Sequence, residues 1–267
     1  MTQAPPPKEY WECRLRENFD LHGTGFITFG KNYNNWMYKI RRRVILSRMK
    51  SKHINLHGSN VLDVGSGTGF YVDMWKCLGV KSVVGIDITD IAVENLKQKY
   101  PDENFFRIDI GDEDMRDLKK TKYNIISAFD VLFHIVDDNR YNQAIKNISS
   151  LMKPNGIFIF SDNFLHTNVL RYIYQVSRPL QEIEKVISQN SLEILERSPM
   201  FAIMSAPVDT SNTLFKLSWK VISYIVQCSN IVGFLIGALL YPLELLLVSF
   251  MTEGPTTEVM ICRKRPE

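Results

Sequence analysis

The chain has little of what would mark several function classes. Its 267 residues include four cysteines, and Cys13, Cys77, Cys228 and Cys262 fall without metal-ligand spacing. That excludes a zinc finger or a disulfide scaffold, and the thiols read as reduced ones in a cytosolic protein. Neither charge dominates: 32 Lys plus Arg against 29 Asp plus Glu leave a formal net charge of +3, too small to argue for a nucleic-acid partner. Residues Met1 to Lys8 are polar and proline-rich, the composition of neither a signal nor a transit peptide. No internal repeat is present. What is there is enough for a full core, with 45% hydrophobic and 23% charged residues, and the length suits one domain with an embellishment.

The informative stretch is Val61-Leu62-Asp63-Val64-Gly65-Ser66-Gly67-Thr68-Gly69-Phe70, followed by Val83-Val84-Gly85-Ile86-Asp87-Ile88. An apolar strand runs into a glycine-rich turn, a helix follows, and a second apolar strand ends in an acid. This is a nucleotide-binding βαβ unit. The sixth turn position is Phe70 where a dinucleotide fingerprint has glycine, and no lysine follows as a P-loop requires. Asp63, two residues before the first glycine, would repel a pyrophosphate but suits a ligand with a cationic group.

The block resembles the first two motifs of class I S-adenosylmethionine-dependent methyltransferases. The resemblance implies an α/β, Rossmann-like fold with a seven-stranded sheet and an antiparallel last strand between strands five and six. It implies S-adenosylmethionine as cofactor. Asp63, Gly65, Ser66, Gly67 and Gly69 would lie along its methionine portion, and Asp87, with Ile88 beside it, would take the ribose hydroxyls. Asp109, at the end of a third strand over 105–109, would bind the adenine amino group and the Ile110 amide the ring, with Asp112 as the competing acid. Phe129, at the end of strand four, completes the expected cofactor contacts.

The pattern predicts strands near 60–64, 82–87, 123–129, 157–160, 192–197 and 257–264, with a turn at Pro154-Asn155-Gly156. Ligands in such sheets sit beyond the carboxyl ends of the strands. His134, just past strand four, is the expected general base, since a neutral imidazole can take a hydroxyl or amine proton. Its alternative is a helix-capping or positioning role. Asp162, at the tip of strand five, is the second candidate catalytic residue, or a residue that satisfies loop amides. Alignment and exclusion of water would carry much of the rate.

Residues 1–58 read as an aromatic N-terminal lid or cap and 59–267 as the methyltransferase domain. Asn34 and Asn35 beside Trp36 suit a sugar or amphipathic acceptor. The basic run from Lys39 to Lys52 reads as a solvated helix face or as contact with anionic lipid or glycan. An apolar insertion occupies 213–251. Both its ends return to one sheet, so a single membrane span is excluded. It remains open as an interfacial hairpin, a roof over a greasy acceptor, a homodimer surface or a pair of helices buried on the sheet. Gly233 and Gly237 allow close helix approach. The expected function is O-methylation of a small-molecule, sugar or lipid-linked acceptor, with no nucleic acid, by a cytoplasmic protein that can sit at the inner face of the membrane. A non-catalytic cofactor-binding partner and a methylation-triggered isoprenoid cyclase are the alternatives.

Overall fold

The computed structural model of the chain describes residues 5–112, 115, 118 and 120–266; Met1 to Ala4, the start of the proline-rich stretch, and Glu267 lie outside the described residues. The chain begins with α1 (Pro7–Glu17), the single turn α2 (Leu21–Thr24) and α3 (Lys31–Ser51). Strands and helices then alternate: β1 (Asn60–Val64), α4 (Phe70–Cys77), β2 (Ser82–Asp87), α5 (Asp90–Lys99), β3 (Asn104–Arg107) and β4 (Tyr123–Ala128). A 3-10 turn at Leu132–His134 leads to α6 (Asp138–Leu151), β5 (Met152–Asp162), the short strands β6 (Leu170–Arg171) and β7 (Val176–Ser177), α7 (Leu180–Gln189) and β8 (Leu192–Pro199). The insertion forms α8 (Thr213–Val226) and α9 (Asn230–Phe250), and β9 (Glu258–Lys264) follows.

The sheet order is β3-β2-β1-β4-β5-β9-β8, with the antiparallel β9 between β5 and β8 as the resemblance implied. Parallel strands covered on both faces read as unbroken apolar runs, and Phe158, Ile159 and Phe160 are each 0% exposed. Side-chain caps start the helices: Thr89 Oγ1 accepts from Ala92 N on α5, and Asp137 Oδ1 from Arg140 N on α6. The order reverses between β1 and β4, so the crevice beyond their carboxyl ends is the ligand position of an open α/β sheet. β5 starts earlier than expected. Tyr123 pairs with Met152, the register then shifts, and pairing resumes at Ile125 and Ile157. Asn155 takes φ 59° in the slack, so Pro154-Asn155-Gly156 is an irregularity inside the strand instead of its boundary.

The chain forms two compact units. One holds residues 1–16, 55–196 and 260–267, and the other 17–54 and 197–259. A cut at residue 58 does not follow this division, because α1 goes with the sheet and 17–54 with the insertion.

In the second unit α3 and α9 run side by side in the same direction. Asn32 Nδ2 donates to Asn230 O at 3.1 Å near one end, and Arg48 Nη2 to Val248 O at 2.8 Å near the other. A Cβ on Gly237 would lie 2.2 Å from Trp36 Cδ1, and one on Gly233 3.3 Å from Tyr33 Cβ. The two glycines do allow a close approach, and the helix they admit is α3. Glu244, inside α9, is buried and accepts from the N–H groups of Ala202, Ile203 and Met204 at 2.6, 3.0 and 3.3 Å. Asn34 is no acceptor contact. It is buried, its Oδ1 accepts from Phe26 N, and its Nδ2 donates to the carbonyls of Phe26 and Phe29, holding the turn before α3. Nor is the insertion a buried pair, since α9 buries only Gly233, Gly237, Glu244 and Val248 of its 21 residues.

Candidate cofactor and acceptor site

The chain turns at once after β1. Gly65, Gly67 and Gly69 have φ of 71°, 49° and 83°, the left-handed region that side chains resist. A Cβ on Gly65 would also meet Val131 Cγ2 at 2.2 Å, so the turn passes against the tip of β4. Gly65 N and Ser66 N donate to Ile86 O at 2.8 and 3.0 Å, and Gly67 N to Asp87 Oδ2 at 2.8 Å. The Ser66 hydroxyl donates to Asp63 O at 3.0 Å.

Asp63 is 1% exposed. Its Oδ1 accepts from Ser127 Oγ at 2.6 Å, and that hydroxyl accepts from Trp75 Nε1 at 3.0 Å. Its Oδ2 is buried with no hydrogen-bond partner among the described residues. Burial pushes this carboxyl up to about 7, against the opposing effect of the Ser127 and Ser66 hydrogen bonds. Asp87 is also buried; its Oδ1 accepts from Thr89 N and Thr89 Oγ1 at 2.9 and 2.7 Å. Burial raises its pKa too, with the Thr89 and Gly67 bonds opposing and the Glu12 charge adding to the rise. Ile88 follows, half-buried.

β3 ends at Arg107, short of Asp109. Ile108 N donates to Asp87 O at 3.0 Å, which keeps the next residues beside the tip of β2. The Asp109 carboxylate accepts from Gly111 N at 2.8 Å and pairs with Arg140 at 2.7 Å, and Arg140 also pairs with Asp112 at 2.9 Å. The side chain of Ile110 is in the core at 4% exposure. Phe129 is buried against Tyr71, ring centroids 4.4 Å apart. The structure therefore brings Asp63, the glycine turn, Asp87, Ile88 and Asp109 to one end of the sheet, with the Ile110 side chain packed in the core behind its own backbone amide.

Beyond β4 the backbone is strained at Asp130, φ 57°. Asp130 N donates to Ser161 Oγ at 2.7 Å, and that hydroxyl donates to Asp130 Oδ1 at 2.9 Å. His134 Nδ1 lies 2.6 Å from Tyr174 O. A carbonyl only accepts, so Nδ1 carries the proton and Nε2 keeps its lone pair. Burial holds the imidazole down at about 4, despite the Tyr174 bond and the Asp130 charge. Asp162 belongs to a different cluster. It is 0% exposed, its Oδ1 accepts from Asn163 N at 2.7 Å, and no hydrogen bond among the described residues joins it to His134. Its Oδ2, Tyr141 OH and Arg178 Nη1 are all buried without a described partner, and the Arg178 guanidinium lies 4.0 Å over the Tyr141 ring. Burial pushes Asp162 up to about 7, with Arg178 opposing.

Residues of α1, within the segment expected as an aromatic lid, pack against the His134 side of the site and the start of α5. Glu12 caps α5, its carboxylate accepting from Asp90 N and Ile91 N at 2.8 and 3.2 Å. Trp11 meets the His134 ring edge-on at 4.9 Å, and Tyr10 stacks on Tyr174 at 4.1 Å. The available signal was the Tyr10-Trp11-Glu12 run, which carries no indication of α5 or of the β6–β7 hairpin.

The residues fit the cofactor of the resemblance. A buried carboxylate oxygen without a partner sits beside a left-handed glycine turn, and the turn itself carries no cation that would claim it. Residues 61–156 match the family described as "Methyltransferase domain". A Caenorhabditis elegans protein, mRNA cap guanine-N(7) methyltransferase, is 27% identical over 150 residues, 50% of this chain and 38% of that protein. A Coxiella burnetii protein, Ubiquinone biosynthesis O-methyltransferase, is 29% identical over 127 residues, 47% of this chain and 51% of that one. The chain thus spans about half the length, or less, of these curated relatives. Among solved structures, magnesium protoporphyrin IX methyltransferase from Synechocystis PCC 6803 with bound SAM shares the fold with a TM-score of 0.56 at 14% identity, covering 99% of this chain and 100% of that one. Residues 61–156 thus form a methyltransferase domain, and the sheet order and glycine turn are those of the class I S-adenosylmethionine-dependent methyltransferase fold.

Proposed function

We propose that the chain methylates a hydroxyl oxygen of an aromatic or otherwise apolar acceptor, with His134 as general base. One observation carries this reading: the imidazole is held by the Tyr174 carbonyl in the tautomer whose Nε2 can take a proton, among the rings of Trp11 and Phe133. Burial keeps the imidazole neutral at neutral pH, so the Nε2 lone pair is available there, as a weaker base than a free imidazole, and the activated sulfonium has to carry most of the driving force. Flat apolar walls favour an acceptor with an apolar face. The Coxiella relative, named for an O-methylation in ubiquinone biosynthesis, supports the same acceptor chemistry.

The cofactor, when bound, supplies a methyl group already activated by its sulfonium. Asp63 Oδ2 would hold the ammonium, and the glycine turn would let the backbone pass close to the methionine portion. Asp87 would accept from the ribose hydroxyls on the lone pairs that Gly67 and Thr89 leave free. α1, tied by Glu12 to α5 next to Asp87, would cover this end and exclude water. As the acceptor oxygen is alkylated, His134 Nε2 takes its proton. Asp162 would hold the β5 tip in shape instead of touching the acceptor.

The test is transfer of labelled methyl from S-adenosylmethionine to separate pools of phenolic quinol precursors, sugars and capped guanosine. Label on phenolic oxygen that is lost in His134→Ala is the expected result. Label on a guanine nitrogen or a sugar would overturn the acceptor class. Binding of S-adenosylhomocysteine with no turnover on any pool would leave a cofactor-binding partner protein.

A further inference from the structure

We propose that the outer face of α8 and α9, edged by the cations of α3, seats this protein flat on an anionic phospholipid surface. The proposal concerns the second unit alone and does not rest on the acceptor assigned above.

Both helices carry their apolar stripe on the outside. On α9, Ile231, Leu235, Leu239, Leu243, Leu246 and Phe250 recur at helical spacing and are 44% to 81% exposed. On α8, Leu214, Leu217, Val221 and Tyr224 do the same. A contiguous face of this kind is not what a surface in water leaves scattered, and it marks an interaction site. Its electrostatics name the partner. Residues 21–58 contain no Asp or Glu, and 213–251 contain only Glu244, whose carboxylate is buried on the amides of 202–204. Lys39, Arg42, Arg43 and Lys50 lie on the exposed side of α3, and Lys216 and Lys220 on that of α8. Among the described residues none of these six has a carboxylate partner. A face that is apolar and cationic with no exposed carboxylate on its helices is complementary to anionic headgroups over acyl chains.

The cations border the apolar stripe. Lys39 Nζ is 3.9 Å from the centre of the Trp36 ring, and Trp36 packs on Phe234 and Tyr241 at 5.8 and 5.3 Å. Tryptophan and tyrosine with lysine above them is the order of groups found at a membrane interface. Further along, a groove between the two helices is lined by Arg43, Ser47 and Arg48 from one side and Leu245, Val248 and Ser249 from the other. There the Arg43 guanidinium adds a cation beside the apolar side chains of Val44, Leu245 and Val248, the pairing of groups that anionic headgroups over acyl chains would meet.

The same register argues against crossing. Among the described residues α9 is the one helix long and apolar enough to span a bilayer. It runs parallel to α3, with Trp36 at the level of Gly237 and Arg48 at that of Val248. Lys39, Arg42 and Arg43 therefore lie level with the middle of α9, and a spanning α9 would carry them to the depth where charge is least tolerated.

The experiment is flotation of the purified full chain with vesicles of phosphatidylcholine, with and without phosphatidylglycerol. Binding should need phosphatidylglycerol and weaken with salt. Arg42→Gln with Arg43→Gln should weaken it about thirtyfold, the effect of two cations at an anionic surface. Leu239→Ser with Leu246→Ser should abolish it while the melting temperature holds, since both side chains are exposed. Equal binding to neutral vesicles would overturn the proposal, as would release by detergent alone. So would absence of vesicle binding together with a dimer that the leucine variant dissociates, which would assign the face to a second copy of the chain.

Discussion

Asp63 offers a test that needs no acceptor. One of its oxygens is bonded to Ser127 and the other has no described partner, and burial holds the carboxyl near 7. An ammonium beside the free oxygen needs the carboxylate, so binding of S-adenosylhomocysteine near neutral pH should release a proton. Affinity should fall about tenfold per pH unit below about 7 and level off above it. Calorimetry in buffers of different ionisation enthalpy measures the proton, and Asp63→Asn should remove both effects. A pH-independent affinity in the native chain would sink the ammonium assignment. For His134 the shift is downward, from 6.5 to about 4. The unfolded chain binds the extra proton between those values, so its contribution to stability is full above about 6.5 and is lost as pH falls to about 4. With cofactor kept saturating, turnover should stay flat through pH 6.5 and fall only nearer 4. His134→Ala should lower kcat by about 10²–10⁴ with cofactor affinity unchanged; a smaller loss would leave a positioning residue. Asp87→Ala should weaken cofactor binding by about 2–3 kcal/mol, since it loses a charged acceptor and frees the Gly67 amide as well.

At the scale of elements, the contact of α3 with α9 turns on two glycines of unequal tolerance. Alanine favours a helix over glycine by about 1 kcal/mol. At Gly237 the new methyl would meet Trp36 Cδ1 at 2.2 Å, and overpacking of about 1–3 kcal/mol should outweigh the gain. At Gly233 the nearest atom is at 3.3 Å, so Gly233→Ala should be close to neutral. Thermal melting of the pair decides; equal effects would mean the helices are not held at this spacing. The small-residue pair was legible in the sequence because i, i+4 spacing is local, but its partner was not. Nothing near Trp36 indicates that it covers a glycine two hundred residues away. The same divide runs through the site. Gly65, Gly67, Gly69, Asp63 and Asp87 could be read because one βαβ unit places them together. Glu12 on α5, the Tyr174 carbonyl on His134 and Arg178 over Tyr141 depend on distant segments meeting. Asp162 read as catalytic from its place at a strand tip, and sequence cannot show that the side chain is buried with Tyr141 and Arg178. The register slip in β5 was hidden for a related reason: Pro154-Asn155-Gly156 has turn composition, and only the pairing with β4 shows the strand continuing through it.

At the scale of the whole chain, the residues assigned to the cofactor all fall within 55–196, in the unit that carries most of the sheet. A saturating ligand at about 100 times its Kd stabilises the state it binds by about 2.7 kcal/mol. In differential scanning calorimetry S-adenosylhomocysteine should raise the transition of that unit. If the units melt separately, the transition of 17–54 with 197–259 should stay in place. A shift confined to the second transition would move the cofactor out of the glycine turn. The threading of the second unit has a further consequence, for synthesis. Arg48 and Val248, hydrogen-bonded in the finished protein, are 200 residues apart in the chain. On a ribosome adding about 5–20 residues per second, α3 emerges about 10–40 s before its partner helix exists. For that interval Tyr33 and Trp36, which meet Gly233 and Gly237 in the finished protein, have no α9 to pack beside. The nascent chain is then a client for holdase chaperones, and losses in a heterologous host should occur during translation, before any folded protein accumulates. A circular permutant opened just ahead of α8 would bring α9 out before α3 with far less chain between them, and should need that protection less.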